Sequence, residues 1–212
     1  MKLLVINPNT NPAVTEQVRA TALAYAGAGT RIEAVNPARG PFSIETDEHK
    51  AQATVHVTDL VRNGGQVGYD GYVVACFDDI GVAEARRIVD RPVISLAEAA
   101  IRAAARKYRR FAVVTTVPAA VPTIEQLAQS YGLAGSCGVL AVDVGVAEAA
   151  SRSARAEQRL VEAVRLAYDR DGAQAIVLGS GAYSGRAADL SAAMGIPFLE
   201  SLEEAIRYCE NA

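Results

Sequence analysis

Two short stretches of the sequence place a potentially reactive side chain directly after an apolar run. In GYVVACFDDIG (71–81) that side chain is Cys76, and in AIVLGSGAYSG (175–185) it is Ser180. Each run is typical of a buried strand, and small or polar turn residues follow it. A thiol at the end of a strand, close to the backbone N–H groups of the next turn, is a candidate base or nucleophile. Free cysteine is also common as a small buried hydrophobe, so position alone leaves both interpretations of Cys76 open.

Other residues of the same chemical types have simpler explanations. Asp78 and Asp79 could form a carboxylate pair, but a short acceptor before a helix satisfies free N–H groups, so we expect Asp79 to cap a helix. His49 and His56 are seven residues apart and share a helical face, without a third ligand for a metal. The remaining two cysteines, at positions 137 and 209, lack the strand-end placement and are expected to be inert. We therefore predict no metal site.

Composition and charge narrow the class of protein. The net charge is −3 and no block of lysine or arginine occurs. The sequence therefore does not indicate the basic surface that binds nucleic acid. No apolar run approaches the roughly 20 residues of a membrane span. Three cysteines without a CxxC spacing argue against a disulfide framework, and the amino terminus is interpreted as a folded strand rather than a secretory signal. We expect a soluble, cytoplasmic protein with a small-molecule ligand.

Short apolar runs alternate with helical patterns along the whole chain, which is typical of a parallel α/β protein. In KLLVINPNTNPAV a strand ends near Asn7, a polar turn follows, and Pro12 suits the first turn of the next helix. The predicted strands lie near 2–6, 31–35, 71–75, 92–94, 110–115, 138–142, 174–178 and 196–199.

The sequence also contains an internal repeat. RPVISLAEAAI (91–101) matches IPFLESLEEAI (196–206) at an offset of 105, and Cys76 matches Ser180 at an offset of 104. The repeat predicts two α/β lobes of about 100 residues related by an approximate two-fold. We assign residues 1–95 and 200–212 to the first lobe and 96–199 to the second, with a last helix near 201–210 that returns to the first.

Ligands of open parallel sheets bind beyond the carboxyl ends of the strands. Four such ends, at Asn7, Cys76, Thr115 and Ser180, are expected to face a cleft between the lobes. The turns INPNT, with Asn7 and Thr10, and VTTVP, with Thr115 and Thr116, combine hydroxyls, amides and helix-opening backbone. Such turns bind carboxylates or ureido groups, although ordinary turn and cap chemistry explains them equally well.

Taken together, these motifs resemble the aspartate/glutamate racemase superfamily, and most closely its hydantoin and allantoin racemase branch. The resemblance covers nearly the whole chain and depends on LLVINPNT, GPFSIET, ACFDDIGVAEAR, RPVISLAEAA, FAVVTT, YGLAG and AIVLGSGAYSG. It implies two similar α/β lobes with the active site in the cleft between them. It also implies a cofactor-independent isomerase, expected here as a homo-oligomer, that acts on a small carboxylate or ureide.

The mechanism that the resemblance implies uses two cysteines on opposite faces of an acidic carbon, one removing a proton and the other returning one. A thiol suits this task because its pKa of roughly 8.5 can be tuned toward neutrality. Cys76 occupies the first position and Ser180 the second. The surrounding turns would bind the substrate and stabilise the enolate, with the remaining candidates being Asn7, Thr10, Phe77, Asp78, Thr115, Thr116, Gly181 and Ala182.

The second turn departs from the family pattern, because Gly179-Ser180-Gly181-Ala182 stands where the racemases typically have Gly-Cys-Ala-Gly. A serine hydroxyl is a poor proton donor and a poor base without help. Three explanations remain open. The chain could be a racemase whose second cysteine has been replaced, a one-thiol member acting as a decarboxylase or cis–trans isomerase, or an inactive binding protein.

Overall fold

A computed structural model describes all 212 residues of the chain. The chain alternates between strands and helices with a few short helical turns. The strands are β1 (Lys2–Ile6), β2 (Arg31–Val35), β3 (Gly71–Val74), β4 (Val93–Ser95), β5 (Phe111–Thr115), β6 (Cys137–Ala141), β7 (Ile176–Leu178) and β8 (Phe198–Leu199). The helices are α1 (Pro12–Tyr25), α2 (Asp47–Val67), α3 (Val82–Ala85), α4 (Leu96–Lys107), α5 (Val121–Ser130), α6 (Val146–Ser151), α7 (Ala154–Arg165), α8 (Ala187–Met194) and α9 (Ser201–Glu210).

The eight strands form two four-stranded sheets with the same topology. Their orders are β2-β1-β3-β4 and β6-β5-β7-β8, and every pairing is parallel. The matching prolines of the repeat make matching bonds, because Tyr72 N–H donates to Pro92 O and Ile176 N–H donates to Pro197 O, each at 2.8 Å. The predicted α/β class with two parallel sheets is confirmed, as are all eight strands to within two residues.

The chain divides into two compact units. The first comprises Met1–Ala99 with Leu202–Ala212, and the second comprises Ala100–Ser201. In the first unit, α9 packs beside the sheet, since Cys209 Sγ lies 3.3 Å from the position that a Cβ of Gly71 would take. In the second unit, helices α6, α7 and α8 pack with the sheet around a core that includes Leu160, Ile176 and Leu190.

Local sequence explains where the first helices begin. Asn11 caps α1 by accepting a hydrogen bond from Ala13 N–H, and Pro12 occupies the first turn as predicted. Thr46 caps α2 in the same way by accepting from His49 N–H, and Asp47 and Glu48 follow in the first turn. Acidic side chains there favour the helix dipole. These caps place the loops that precede both helices at the carboxyl edge of the first sheet.

None of the helices combines the length and apolar character needed to cross a membrane.

Candidate active site

Cys76 lies two residues beyond the end of β3. Ala75 N–H still donates to Ile6 O of the neighbouring strand β1 at 2.8 Å, but Cys76 N–H turns back to Val74 O at 2.8 Å. Strand β3 ends at Val74, one residue before the predicted end at 75, and after the bond of Ala75 to β1 the backbone of Cys76 bends out of the strand. The Cys76 side chain is half-buried and packs against the core of the first unit.

The environment of Cys76 shifts its pKa in the direction opposite to the tuning that we expected. Burial raises the pKa of the Cys76 thiol, and the Asp78 carboxylate raises it further. The backbone N–H groups of Asp78 and Phe77 lower that pKa, because they donate hydrogen bonds that stabilise the thiolate. Burial dominates, so the thiol is protonated at neutral pH. A protonated thiol at this position can donate a proton. The two N–H groups can then stabilise the thiolate that is left.

The turn after Cys76 is held by a buried hydroxyl. Ser95 at the end of β4 is fully buried, donates its Oγ hydrogen to Asp79 Oδ1, and accepts from Glu98 N–H at 3.0 Å. Asp79 adopts a left-handed backbone with φ of 49°, and the cap of α3 is Gly81, without a side-chain cap bond. The expectation that Asp79 caps a helix is therefore wrong, because its carboxylate is turned toward Ser95 instead.

Lys50 is a cation beside this turn that the sequence did not indicate. Its Nζ lies 3.7 Å from Asp78 Oδ2, and 14% of the Asp78 side chain is exposed. Burial raises the pKa of Asp78, while Lys50 lowers it. Lys50 enters from the first turn of α2, 28 positions before Asp78, and no motif links the two residues. Its charge offsets part of the negative charge that Asp78 places near Cys76.

The Asn7 side chain organises the turn that follows β1. Asn7 is 1% exposed, its Nδ2 donates to Asn9 Oδ1 at 2.9 Å and Thr15 Oγ1 at 3.0 Å, and its Oδ1 accepts from Asn9 N–H at 3.2 Å. Thr10 anchors the same turn, since its N–H and its Oγ1 both donate to Pro41 O. These bonds fix the backbone of the INPNT turn one strand away from Cys76. A role in substrate binding remains a prediction for both residues.

Ser180 occupies in the second unit the position that Cys76 occupies in the first. It lies two residues beyond the end of β7, is half-buried, and starts a short 3₁₀ turn over Gly181–Tyr183. Its Oγ accepts from Ala182 N–H at 3.3 Å. A side chain at this position thus meets a backbone donor, as the sulfur of Cys76 does. The topological match confirms the equivalence of the two turns that the repeat predicted.

Thr115 and Gly179 tie the two strand ends of the second sheet together. Thr115 Oγ1 donates to Gly179 O at 3.0 Å, and Gly179 N–H donates to Val114 O at 2.8 Å. A Cβ at position 179 would lie 2.5 Å from Val113 Cγ1, so glycine is required there for close packing. Thr116 is 2% exposed and its carbonyl accepts from Val144 N–H. The hydroxyl of Thr115 therefore positions the Ser180 turn.

An ion pair between buried Arg186 and half-buried Glu157 lies beside the Ser180 turn. Arg186 Nη2 lies 2.6 Å from Glu157 Oε2, and only 7% of the arginine side chain is exposed. The guanidinium lies 5.6 Å from the ring of Tyr183, whose hydroxyl is buried without a partner. Sequence reasoning missed these residues. The arginine six positions after Ser180 was the available signal, but its partner lies 29 positions away on α7.

Glu200, the residue that follows β8, supports the far side of the same turn. Its Oε2 accepts from Gly185 N–H at 2.8 Å, and the residue is 4% exposed. Ser201 Oγ also donates to Leu178 O at 3.2 Å. The turn that carries Ser180 is thus fixed by hydrogen bonds to β5 and to Glu200, and the end of β7 before it is bonded to Ser201.

The other cysteines lie away from these turns. All three cysteines are free. Burial raises the pKa of Cys137 on β6 to about 12 and that of Cys209 on α9 to about 12. No group of three or more His, Cys, Asp or Glu side chains is arranged to hold a metal ion.

Comparison with known proteins gives the family. The sequence profile described as Asp/Glu/Hydantoin racemase matches residues 3–209. A hydantoin racemase of Rhizobium meliloti is 37% identical over 211 residues, which cover 99% of this chain and 88% of the relative. The structure of an allantoin racemase from Klebsiella pneumoniae superposes with a TM-score of 0.95 at 37% identity, covering 100% of this chain and 86% of that one.

The fold extends to more distant structures. A glutamate racemase from Campylobacter jejuni subsp. jejuni has a TM-score of 0.69 at 14% identity, with 100% of this chain and 85% of that one covered. The resemblance inferred from the motifs, including its hydantoin and allantoin branch, is confirmed. With a profile match over almost its full length and racemase relatives at more than a third identity, the chain belongs to the Asp/Glu/Hydantoin racemase family of isomerases.

Proposed function

We propose that the chain is a cofactor-independent racemase of the hydantoin and allantoin type that acts on a small ureide or carboxylate. One observation carries this proposal. Cys76 follows β3 with the backbone N–H groups of Phe77 and Asp78 directed at its sulfur, in a chain 37% identical to a hydantoin racemase. A thiol with two backbone donors can exchange a proton with an acidic carbon and stabilise its own charged form.

In this proposal Cys76 works on one face of the acidic carbon and Ser180 stands in the place of the second cysteine. The repeat supports this pairing, because both residues lie two positions beyond the end of the third strand in their sheet. Gly181 and Ala182 of the Ser180 turn, with the polar turns at Asn7, Thr10, Thr115 and Thr116, would hold the carboxylate or ring carbonyl. They would also stabilise the enolate that forms when the proton leaves.

Ser180 limits the rate of racemisation. Inversion requires proton exchange on both faces of the carbon, and a serine hydroxyl is far less acidic than a thiol. Ala182 N–H already donates to Ser180 Oγ, and the same donor would stabilise a thiolate if the residue were cysteine. We therefore expect slow racemisation by the chain as it stands and a large gain for Ser180→Cys.

A second candidate is one-thiol chemistry, such as decarboxylation or cis–trans isomerisation of a small carboxylate. The raised pKa of Cys76, which keeps the thiol protonated, favours the decarboxylation. A protonated thiol is suited to delivering one proton to a carbanion left by a departing carboxylate. This reaction needs no second thiol, so Ser180 would be no obstacle.

The test is proton-exchange NMR in deuterium oxide on both enantiomers of 5-substituted hydantoins, allantoin and aspartate, with arylmalonates and maleate as substrates of the second candidate. The parent chain is compared with Ser180→Cys and Cys76→Ser, and Cys137→Ser is the matched control. We expect the parent to exchange the α-proton of one enantiomer and Ser180→Cys to exchange it with inversion. Cys76→Ser should do neither. Cys137→Ser should behave like the parent.

Each alternative result has a defined meaning. Rapid racemisation by the serine form would show that our account of Ser180 is wrong. Decarboxylation or cis–trans isomerisation that depends on Cys76 would replace the racemase proposal with the second candidate. Binding of a ureide or carboxylate without exchange, and without loss in Cys76→Ser, would identify an inactive binding protein.

A further inference from the structure

The turn after β3 carries charge that the equivalent turn of the second unit lacks. At the offset of 104 that relates the two turns, Asp78 matches Ala182. The segment 76–81 contains two acids and no base, whereas the segment 179–185 contains no charged residue. The two turns therefore follow equivalent strands but present different charges to a molecule that reaches them.

The backbone bond that shapes both turns does not require the carboxylate of Asp78. Asp78 N–H donates to the sulfur of Cys76, and Ala182 N–H donates to Ser180 Oγ at 3.3 Å. The same bond thus forms whether the donating residue carries a carboxylate or a methyl group. Asp78 is half-buried, and burial of a charge is unfavourable. A costly charge that the turn does not need can serve another purpose.

The charge of Asp78 lies close to the reacting sulfur. The Asp78 nitrogen donates to that sulfur, and only four bonds separate this nitrogen from the carboxylate oxygens, so the charge lies within about 9 Å of Cys76 Sγ. In the proposed reaction the acidic carbon approaches the sulfur to about 3–3.5 Å. A charged substituent on that carbon therefore lies within electrostatic range of the Asp78 carboxylate.

Lys50 offsets only part of this negative charge. Its Nζ lies 3.7 Å from Asp78 Oδ2 and 3.9 Å from Asp47 Oδ1, so one ammonium is shared between two carboxylates. The charged side chains that shift the pKa of Cys76 are Asp78 and Asp79, and both raise it. The side-chain charges around the sulfur therefore favour a neutral group over a negative one.

We propose that Asp78 is a specificity-determining residue that disfavours substrates with a carboxylate beside the acidic carbon and favours uncharged ureides. This inference rests on the proposed function, which leaves both a ureide and a carboxylate open as substrates. Like charges brought together raise the energy of the disfavoured complex, and specificity is the difference between the two binding energies. An uncharged ureide avoids this repulsion, and its N–H groups can donate to the Asp78 carboxylate.

The size of the effect follows from the distance between the charges. For two like charges about 8 Å apart, Coulomb's law gives a discrimination of about twofold at the dielectric constant of water and about thirtyfold at an effective value of about 20. The Asp78 side chain is 14% exposed, which places it between these limits. We therefore expect an uncharged substrate to be favoured about tenfold over a negatively charged analogue of the same shape.

The test compares two hydantoins of nearly the same shape, one with a carboxymethyl group on carbon 5 and one with a carbamoylmethyl group. Proton-exchange NMR in deuterium oxide at about pH 7.5, where carboxylates are ionised, gives kcat/KM for each compound. The readout is the ratio of the value for the amide to the value for the acid. An effect of Asp78 on Cys76, on the enolate or on folding acts on both compounds alike and cancels in this ratio.

Two substitutions should change the ratio in opposite directions. Asp78→Asn is expected to lower it about tenfold, and Lys50→Met is expected to raise it about threefold because the offsetting cation is lost. Asp59→Asn and Arg62→Met are the matched controls, since both side chains are 54% exposed and lie on α2 about 13 Å or more beyond Lys50 along the helix axis. These controls should leave the ratio unchanged.

The results that would overturn the inference are distinct from those that would overturn the proposed function. A ratio that Asp78→Asn leaves unchanged would overturn the inference, as would a shift in the same direction by Asp78→Asn and Lys50→Met. A parent that prefers the carboxymethyl compound would also overturn it. Absence of exchange for both compounds would overturn the proposed function instead. The ratio of the two dissociation constants, measured by titration calorimetry, would then decide the inference in the same way.

Discussion

Replacing Gly179 by alanine is expected to destabilise the protein because the glycine lies where β5 and β7 are too close for a side chain. The new Cβ would lie 2.5 Å from Val113 Cγ1, 3.3 Å from Val114 O and 3.4 Å from Thr115 Cβ. Val113 can rotate only at the cost of an unfavourable rotamer. The Val114 carbonyl is held by the Gly179 N–H at 2.8 Å, so it cannot move away without breaking that bond. We expect a loss of about 1–3 kcal/mol in the free energy of unfolding, which is typical of overpacking.

The same substitution should also reduce activity. Gly179 is adjacent to Ser180, and relief of the clash displaces the end of β7 by a few tenths of an ångström. Misplacement of a reacting group by about 1 Å costs on the order of 100-fold in rate, so a smaller shift should cost about tenfold. The assay is proton exchange measured in the Ser180→Cys background, with stability measured by urea unfolding followed by circular dichroism.

Gly65→Ala is the matched control for Gly179→Ala. Gly65 is exposed within α2, and a Cβ there would meet its nearest atom, Val89 Cγ1, at an ordinary 3.6 Å. Alanine in a helix interior is favoured over glycine by roughly 0.5–1 kcal/mol, so the urea midpoint should rise. A midpoint for Gly179→Ala equal to or above that of the parent would refute the reasoning from packing at β5 and β7.

Three further changes test the environment of the two turns. Asp78→Asn removes a carboxylate that raises the pKa of Cys76. Because the thiolate is the species that reacts with iodoacetamide, the midpoint of the alkylation rate at Cys76 should move to lower pH. An unchanged or higher midpoint would contradict this. Ser95→Ala removes the buried hydroxyl that links the Cys76 turn to α4. It should lower the free energy of unfolding in urea by about 1–3 kcal/mol. A loss near zero would show that the link is unimportant. Glu157→Gln should lower the free energy of unfolding by about 3 kcal/mol, because it leaves the charge of buried Arg186 uncompensated. Arg186→Met should lower it by less. A larger loss for Arg186→Met than for Glu157→Gln in urea unfolding would refute this.

The fold was predictable because its signals are local or repeated. Each strand is a short apolar run. The repeat predicts that Cys76 and Ser180 follow equivalent strands, and they do follow the third strand of their own sheets. The prolines at 92 and 197 marked matching strand starts for the same reason. Motif and repeat therefore indicate where the candidate site lies in each unit.

The details of the site depend on contacts that no pattern records. Asp79 looked like a helix cap, but its left-handed backbone turns the carboxylate to Ser95, sixteen residues later. Lys50 reaches Asp78 only because α2 packs beside the β3 turn. The direction of the pKa shift of Cys76 follows from how deeply the turn is buried, and strand-end placement alone suggested the opposite sign.

The return of α9 to the first unit has a consequence for the order in which the chain can fold. Glu210 Oε1 accepts from Thr30 Oγ1 at 2.6 Å and from Gly27 N–H at 2.9 Å, and Cys209 packs against Gly71. The first unit is therefore built from two segments, while residues 100–201 of the second are contiguous. At about 5–20 residues per second, the ribosome needs on the order of 5–20 s to synthesise the second unit. During that interval the earlier segment emerges without the helix that completes it, and the later unit is the first that can be finished.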